Sequence, residues 1–273
     1  MSQQEDLSKF RAQIDEIDDK IINLLKDRME IVKQVGELKA KTSATASFIR
    51  AGREASMLRN LTRKIDGVFP PGAIATMWRM IISTSLCIEQ PMSISAYVHE
   101  NDQSCYWLTR EYYGTFVQTQ TSGSTDEVIS NVANGKTSIG ILPLIDNSDS
   151  PWWIRPAKEK NDIYIFARIP FIEEQNPIAK PVLAIANVMP EQTDDDISVI
   201  AVYTKSPVSD IKKAFSESGL NANIIATKNN TDYLIEADKF LNIGDDRLDA
   251  IKYKLGNGAF VRLMGAYAVP IKL

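Results

Sequence analysis

The sequence predicts a multidomain chain of α and α+β parts: an all-helical N-terminal third, an α/β stretch, and a closing unit of alternating strands and helices. Three observations carry that reading. Residues 5–41 hold an unbroken heptad seam; Pro91 marks a change from helical to short-strand rhythm; the segment from 197 on runs strand, helix, strand, strand, helix, strand. The expected domains are 1–91, 92–192 and 193–273.

In the first helix, Leu7, Ile14, Ile21, Arg28 and Val35 stand seven apart, interleaved with Phe10, Ile17, Leu24, Ile31 and Leu38. A seam of this length, roughly ten turns, predicts one long amphipathic helix. Arg28 interrupts its aliphatic line, and a cation there is costly to bury unless an anion meets it. Lys39, eleven residues on, shares a face with Arg28, since that spacing is close to three whole turns. Arg11 lies far back along the helix, where a two-fold partner's site would be within its reach. The competing reading of these cations is solvated charge on snorkelling stems.

After a Ser/Thr/Ala connector at 42–47, a second helix is expected over about 49–64, with Met57, Leu58 and Leu61 inward and a break at Asp66-Gly67. Pro70-Pro71-Gly72 opens a third, whose stripe is Ile74, Trp78, Ile81/Ile82, Ser85 and Glu89. The last two are polar where the apolar pattern should continue. Strands are expected at 93–98, 115–119, 138–142, 163–167 and 182–185, with a helix at 126–134 behind the capping box Ser124 to Glu127. The closing unit has strands at 197–204, 222–226, 233–237 and 259–263 and helices at 208–217 and 245–254. That order is the ferredoxin-like sandwich.

Composition narrows the function. The 273 residues are 44% hydrophobic and 24% charged, globular values, and the net charge is −4. Such a balance disfavours nucleic acid and anionic membranes as partners. No run approaches a membrane span. Two isolated cysteines, Cys87 and Cys105, form no disulfide framework and suit a reducing, cytoplasmic setting. His99 is the single histidine, so a His-rich metal site is out and a Ser-His-Asp triad is disfavoured. There is no GxGxxG or Walker A loop, so no cofactor is expected. What remains is a set of cations and hydrogen-bonding groups on helical faces: Arg28, Lys39, Arg53, Glu54, Ser85 and Glu89, with Arg11 in trans. Without an activated nucleophile, that set suits a dianion whose reaction needs only positioning and electrostatic stabilisation.

Phe10-Arg11, Asp18, Leu24-Leu25, Arg28, Val35-Gly36, Lys39, Arg53-Glu54 and Ile81-Ile82…Ser85…Glu89 together resemble the all-helical chorismate mutases over residues 5–90. The resemblance implies three helices per chain intertwined in a homodimer, and rearrangement of chorismate to prephenate without cofactor, in aromatic amino acid biosynthesis. It implies that Arg11 from the partner and Arg28 hold substrate carboxylates. Lys39 donates to the ether oxygen, Arg53 adds a cation, Glu54 accepts from the ring hydroxyl and Ser85 donates to a carboxylate. Glu89 faces the same ether oxygen. Arg50 departs from enteric relatives, which place Asp there.

Tyr113-Gly114-Thr115-Phe116, Ser122 to Glu127, Asn134-Gly135 and Gly140 to Leu144…Asn147-Ser148 are similar to the first lobe of prephenate dehydratases, and the segment from 197 to their regulatory ACT domain. The departures are the missing Thr-Arg-Phe motif, too little chain between Pro170 and Pro190 for a second lobe, and Ser206-Pro207-Val208 and Thr227 to Asn230 where effector motifs belong. The expectation is therefore a chorismate mutase with a degenerate, noncatalytic C-terminal half, either a scaffold or a sensor of an aromatic amino acid. The alternatives are a bifunctional mutase and dehydratase, or a non-catalytic dimeric regulator.

Overall fold

The computed structural model describes residues 3–41, 49–65, 69–146, 148–158, 162–173 and 179–272. The expected connector at 42–47 and the break at Asp66-Gly67 lie outside them. The chain divides into two compact units, 1–48 with 85–91 and 49–84 with 92–273. This division differs in kind from the sequence boundaries at 91/92 and 192/193, because it follows packing and takes most of two helices into the larger unit.

In the smaller unit, α1 (Gln3–Lys41) is the long helix the heptads predict, closed by Lys39 and Lys41 in its last turn, where cations favour the helix dipole. Its seam is open within the chain: Phe10 is 61%, Leu24 67% and Leu38 63% exposed. The end of α3 (Pro71–Glu89) completes this unit.

In the larger unit, α2 (Ala51–Lys64) and the first part of α3 pack onto the α/β region. Ala55, Leu58, Ala75 and Phe171 form their shared core, flanked by Trp78, Tyr112, Ala268 and Ile271. Burial of such side chains stabilises by about 25 cal/mol per Å² removed from water.

Nine strands then form one mixed sheet. In chain order they begin β1 (Ser93–Tyr97), β2 (Gln118–Ser122) and β3 (Ile139–Pro143), followed by β4 (Tyr164–Ile169). A short β5 (Ile172–Glu173) stands apart and pairs with β11 (Ile271–Lys272). The remainder are β6 (Val182–Ala186), β7 (Asp196–Tyr203), β8 (Ala222–Lys228), β9 (Asp232–Ala237) and β10 (Phe260–Ala268). Their order across the sheet is β2-β1-β3-β6-β4-β10-β7-β9-β8. The final four strands, with α7 (Val208–Glu217) and α8 (Asp246–Lys254), realise the β-α-β-β-α-β expectation. Ile211, Phe215, Leu248 and Ile251 bury the helical faces against Ile200 and Ile235. This unit is fused edge to edge with the preceding strands where β10 meets β4 at Gly265 and Ile165. A Cβ at Gly265 (φ +140°) would lie 2.1 Å from the Ile165 carbonyl oxygen, so only glycine fits.

Two expectations need correction. The strand expected at 115–119 lies at 118–122 instead. Val117 is 1% exposed and anchors the chain before the strand begins, so its apolar character was not strand alternation. The sequence reading placed no helix between 98 and 115, yet α4 (Ser104–Tyr113) lies there. Its aromatic-rich run Cys105-Tyr106-Trp107 lacks a clean helical period; Asp102 starts it by accepting from the Ser104 amide at 3.0 Å. A bond from the Ser104 side chain, then this amide bond, and a bond from Lys180 hold the Asp102 carboxyl down at about 2. The capping box at α5 (Thr125–Ala133) forms: Ser124 Oγ accepts from the Glu127 amide at 3.2 Å, and Glu127 accepts from the Gly123 amide at 3.2 Å. The fifth and sixth helices in order are thus α5 and the short α6 (Ile154–Lys158).

Candidate active site

The two polar members of the α3 stripe meet the two cations of the α1 face. Arg28 Nη1 donates to Ser85 Oγ. Lys39 Nζ donates to Glu89 Oε2 at 2.7 Å. The anchor points on α1 are roughly 16 Å apart, whereas Ser85 and Glu89 are roughly 6 Å apart on successive turns. The long stems of Arg28 and Lys39 therefore lean inward over one turn of α3. Gly36, three residues before Lys39, brings the α1 backbone against α3: a Cβ there would be 3.5 Å from Glu89 Cα.

Arg28 and Lys39 bring cations to this cluster and Glu89 brings a carboxylate. Glu89 is 12% exposed at its side chain and Lys39 35%, so their attraction is only partly screened. The bonds that hold the four groups are ones an anionic ligand could replace, Arg28 and Lys39 turning from Ser85 and Glu89 to carboxylate or ether oxygens. Arg11 is exposed on α1.

Arg53 and Glu54 belong to the larger unit, on the first turns of α2. Arg53 is exposed. Glu54 is buried and forms an ion pair with Arg79 of α3. The Arg79 guanidinium carbon lies 3.9 Å from the Tyr112 ring centre and 5.5 Å from that of Tyr113. Burial raises both phenols above their ordinary value, so they stay neutral there. Burial alone would lower the Arg79 guanidinium, but Tyr112, Glu54 and Tyr113 outweigh it and the net direction is up.

Further along α2, Arg59 donates to Thr193 Oγ1 at 3.1 Å and to the carbonyls of Asp195 and Val269, each at 2.9 Å. It thereby caps the end of the β7–β10 ladder. Arg50, the position that departs from enteric relatives, pairs with Glu191. Sequence reasoning missed Arg79 and Arg59. A signal existed for Arg79: it is the one charged residue of α3 before Glu89, and it stands inside an apolar run. Arg59 had none, since its partners lie more than 130 residues away in sequence.

Among the described residues, no group of three or more His, Cys, Asp or Glu side chains could hold a metal ion, and no helix is long and apolar enough to cross a membrane.

The chorismate mutase type II family model matches residues 10–90. A bifunctional chorismate mutase/prephenate dehydratase of Pseudomonas aeruginosa is 28% identical over 152 residues, 55% of this chain and 41% of that protein. One of Aquifex aeolicus is 28% identical over 142 residues, 51% and 39% of the two chains. The aligned part thus spans about two-fifths of these relatives. Among solved structures, a prephenate dehydratase of Streptococcus mutans covers 67% of this chain and 100% of its own at 14% identity, with a TM-score of 0.46. Another, from Arthrobacter aurescens, covers 65% and 90% at 11% identity, with a TM-score of 0.45. The match to the chorismate mutase type II family model is thus confined to the helical segment 10–90, ahead of a mixed α/β region.

Proposed function

We propose that this chain rearranges chorismate to prephenate. The observation that supports this most directly is the convergence of Arg28, Lys39, Ser85 and Glu89, four positions of the family pattern, in one cluster. Arg28 and Ser85 take substrate carboxylate, and Lys39 donates to the ether oxygen as its C–O bond breaks. Charge grows on that oxygen in the transition state, so a donor fixed beforehand lowers the barrier. Arg53 and Glu54 serve the substrate's cationic and ring-hydroxyl contacts. A second copy covers the open α1 seam and brings its Arg11 to the site. An aromatic amino acid acting on the closing βαββαβ unit belongs to the same proposal.

Glu89 gives a prediction. It can donate to the ether oxygen only when protonated, whereas in the structure it accepts from Lys39. Glu89→Gln, whose amide always carries a donor, is therefore expected to keep or raise kcat for chorismate. Rates of chorismate loss for both proteins under the same conditions check this, and a kcat at least tenfold lower in the variant would contradict it.

A second reading, a bifunctional mutase and dehydratase, is supported at least as well by the names of the relatives. The single-activity reading draws support from the path of the chain after β3: β4 and β6 return to the same sheet, and among the described residues only the two-residue β5 between them lies outside it. Product identity separates the two. The purified chain is incubated with chorismate and sampled without acid treatment. Persisting prephenate supports the single activity, and phenylpyruvate supports the bifunctional one. Untouched chorismate would put the non-catalytic regulator first.

A further inference from the structure

We infer that Arg59 latches α2 to the end of the β7–β10 ladder, so that this helix of the segment 10–90 opens only together with the sheet that follows it. The latch stands apart from the mutase reading and needs no catalysis to act. It gives the α/β region a task, the support of α2, that involves no dehydration.

Alone, α2 has little to hold it. It is 14 residues long, a length at which isolated helices are marginal in water. Arg50 at its N-cap makes no side-chain capping bond and is not one of the residue types that favour a helix start. The inward residues Ala55 and Leu58 share their core with Phe171, Ile172, Ala268 and Ile271, all from the α/β region. Most of the helix's stability therefore comes from that packing.

Arg59 fixes where the face sits. Its Nη2 donates to the carbonyls of Asp195 and Val269, each at 2.9 Å. Asp195 directly precedes β7 and Val269 directly follows β10, and the Val269 amide donates to the same Asp195 carbonyl at 2.9 Å. The guanidinium thus closes the ladder from the side. Its Nη1 donates to Thr193 Oγ1 at 3.1 Å, and the Thr193 hydroxyl donates in turn to Asp196 Oδ1 at 2.7 Å. A buried cation and a buried carboxylate are joined through one hydroxyl, and each is costly in apolar surroundings without the other.

The same turn meets α2 a second time. A Cβ at Gly52 would lie 2.8 Å from Glu191 Cβ and 3.3 Å from Thr193 Cγ2. Gly52 and Arg59 are seven residues apart, about two turns along one helix face. Lifting α2 withdraws the guanidinium from three acceptors and uncovers Phe171, whose ring centre lies 5.7 Å from the Arg59 guanidinium carbon. Opening the ladder at this end takes those acceptors from the cation. Either event carries the cost of the other, which is the condition for one cooperative unit.

Native-state hydrogen exchange of the full chain at rising denaturant concentration tests the latch. Amides of α2 beyond its first turn, and those of β7 and β10, should converge on one opening equilibrium with one denaturant dependence. Thr193→Val, a change outside the segment 10–90, removes the hydroxyl between Arg59 and Asp196. It should lower protection in α2, β7 and β10 alike by about tenfold, the size of one lost hydrogen bond to a charged group. An opening that exposes α2 amides while β7 and β10 stay protected overturns the inference. So does a folded Thr193→Val chain in which α2 keeps the parent's protection. Should that variant not fold, convergence or its absence in the parent decides alone.

Discussion

Glu54→Ala lowers the stability of the chain by about 3–5 kcal/mol, read as a fall in the denaturant midpoint. The reason is local. Arg79 and Glu54 side chains are 4% and 11% exposed and form an ion pair. Removing the carboxylate leaves a guanidinium that is 3% exposed with its charge unmatched. Replacing both partners by methionine costs far less, because it removes the desolvation penalty together with the attraction. The double variant should therefore be closer to the parent than Glu54→Ala is. A single-variant loss under about 1 kcal/mol, the range of an exposed pair, would contradict the burial on which this rests.

Lys39→Ala is expected to lower kcat for chorismate by about 10²–10³, the effect of deleting one preorganised donor at a site of developing charge. Its cost in stability should be small by comparison, because Lys39 is 35% exposed and ion pairs in that range contribute little. The same variant leaves Glu89 without its 2.7 Å partner. Glu89 then repels an approaching carboxylate, so KM rises as well. A kcat within about threefold of the parent would remove Lys39 from the chemistry.

What could be read in advance follows from the range of the interactions. The α1 helix was legible because its seam repeats every seven residues, a signal contained within the helix itself. The closing βαββαβ unit was legible because its strands and helices alternate with clear turn residues, among them Gly219 and Gly244, both at positive φ. The pairing of Arg28 and Lys39 with α3 was legible in part, since polar residues at Ser85 and Glu89 broke an apolar stripe. By contrast α4 was hidden, as aromatic and polar residues share its length without a period. The attachment of α2 to the sheet was also hidden. Arg59 reaches Asp195 and Val269, and Gly52 is pressed so near Glu191 that a Cβ would come within 2.8 Å of it. Neither contact leaves a mark in the neighbouring sequence. The domain boundary that composition places at Pro91 cannot express a helix whose last turn and earlier turns lie in different compact units.

The central claim is that the cations of the α1 face perform the rearrangement. The most direct measurement is the rate of chorismate loss with the purified full chain beside its Arg28→Ala variant, each at a known folded fraction. The account predicts steady conversion by the parent, with prephenate as the first product, and a fall of about 10²-fold or more in kcat/KM for the variant, as for a lost charged hydrogen bond to a substrate carboxylate. Equal rates for the two proteins, or no conversion by either, would contradict it.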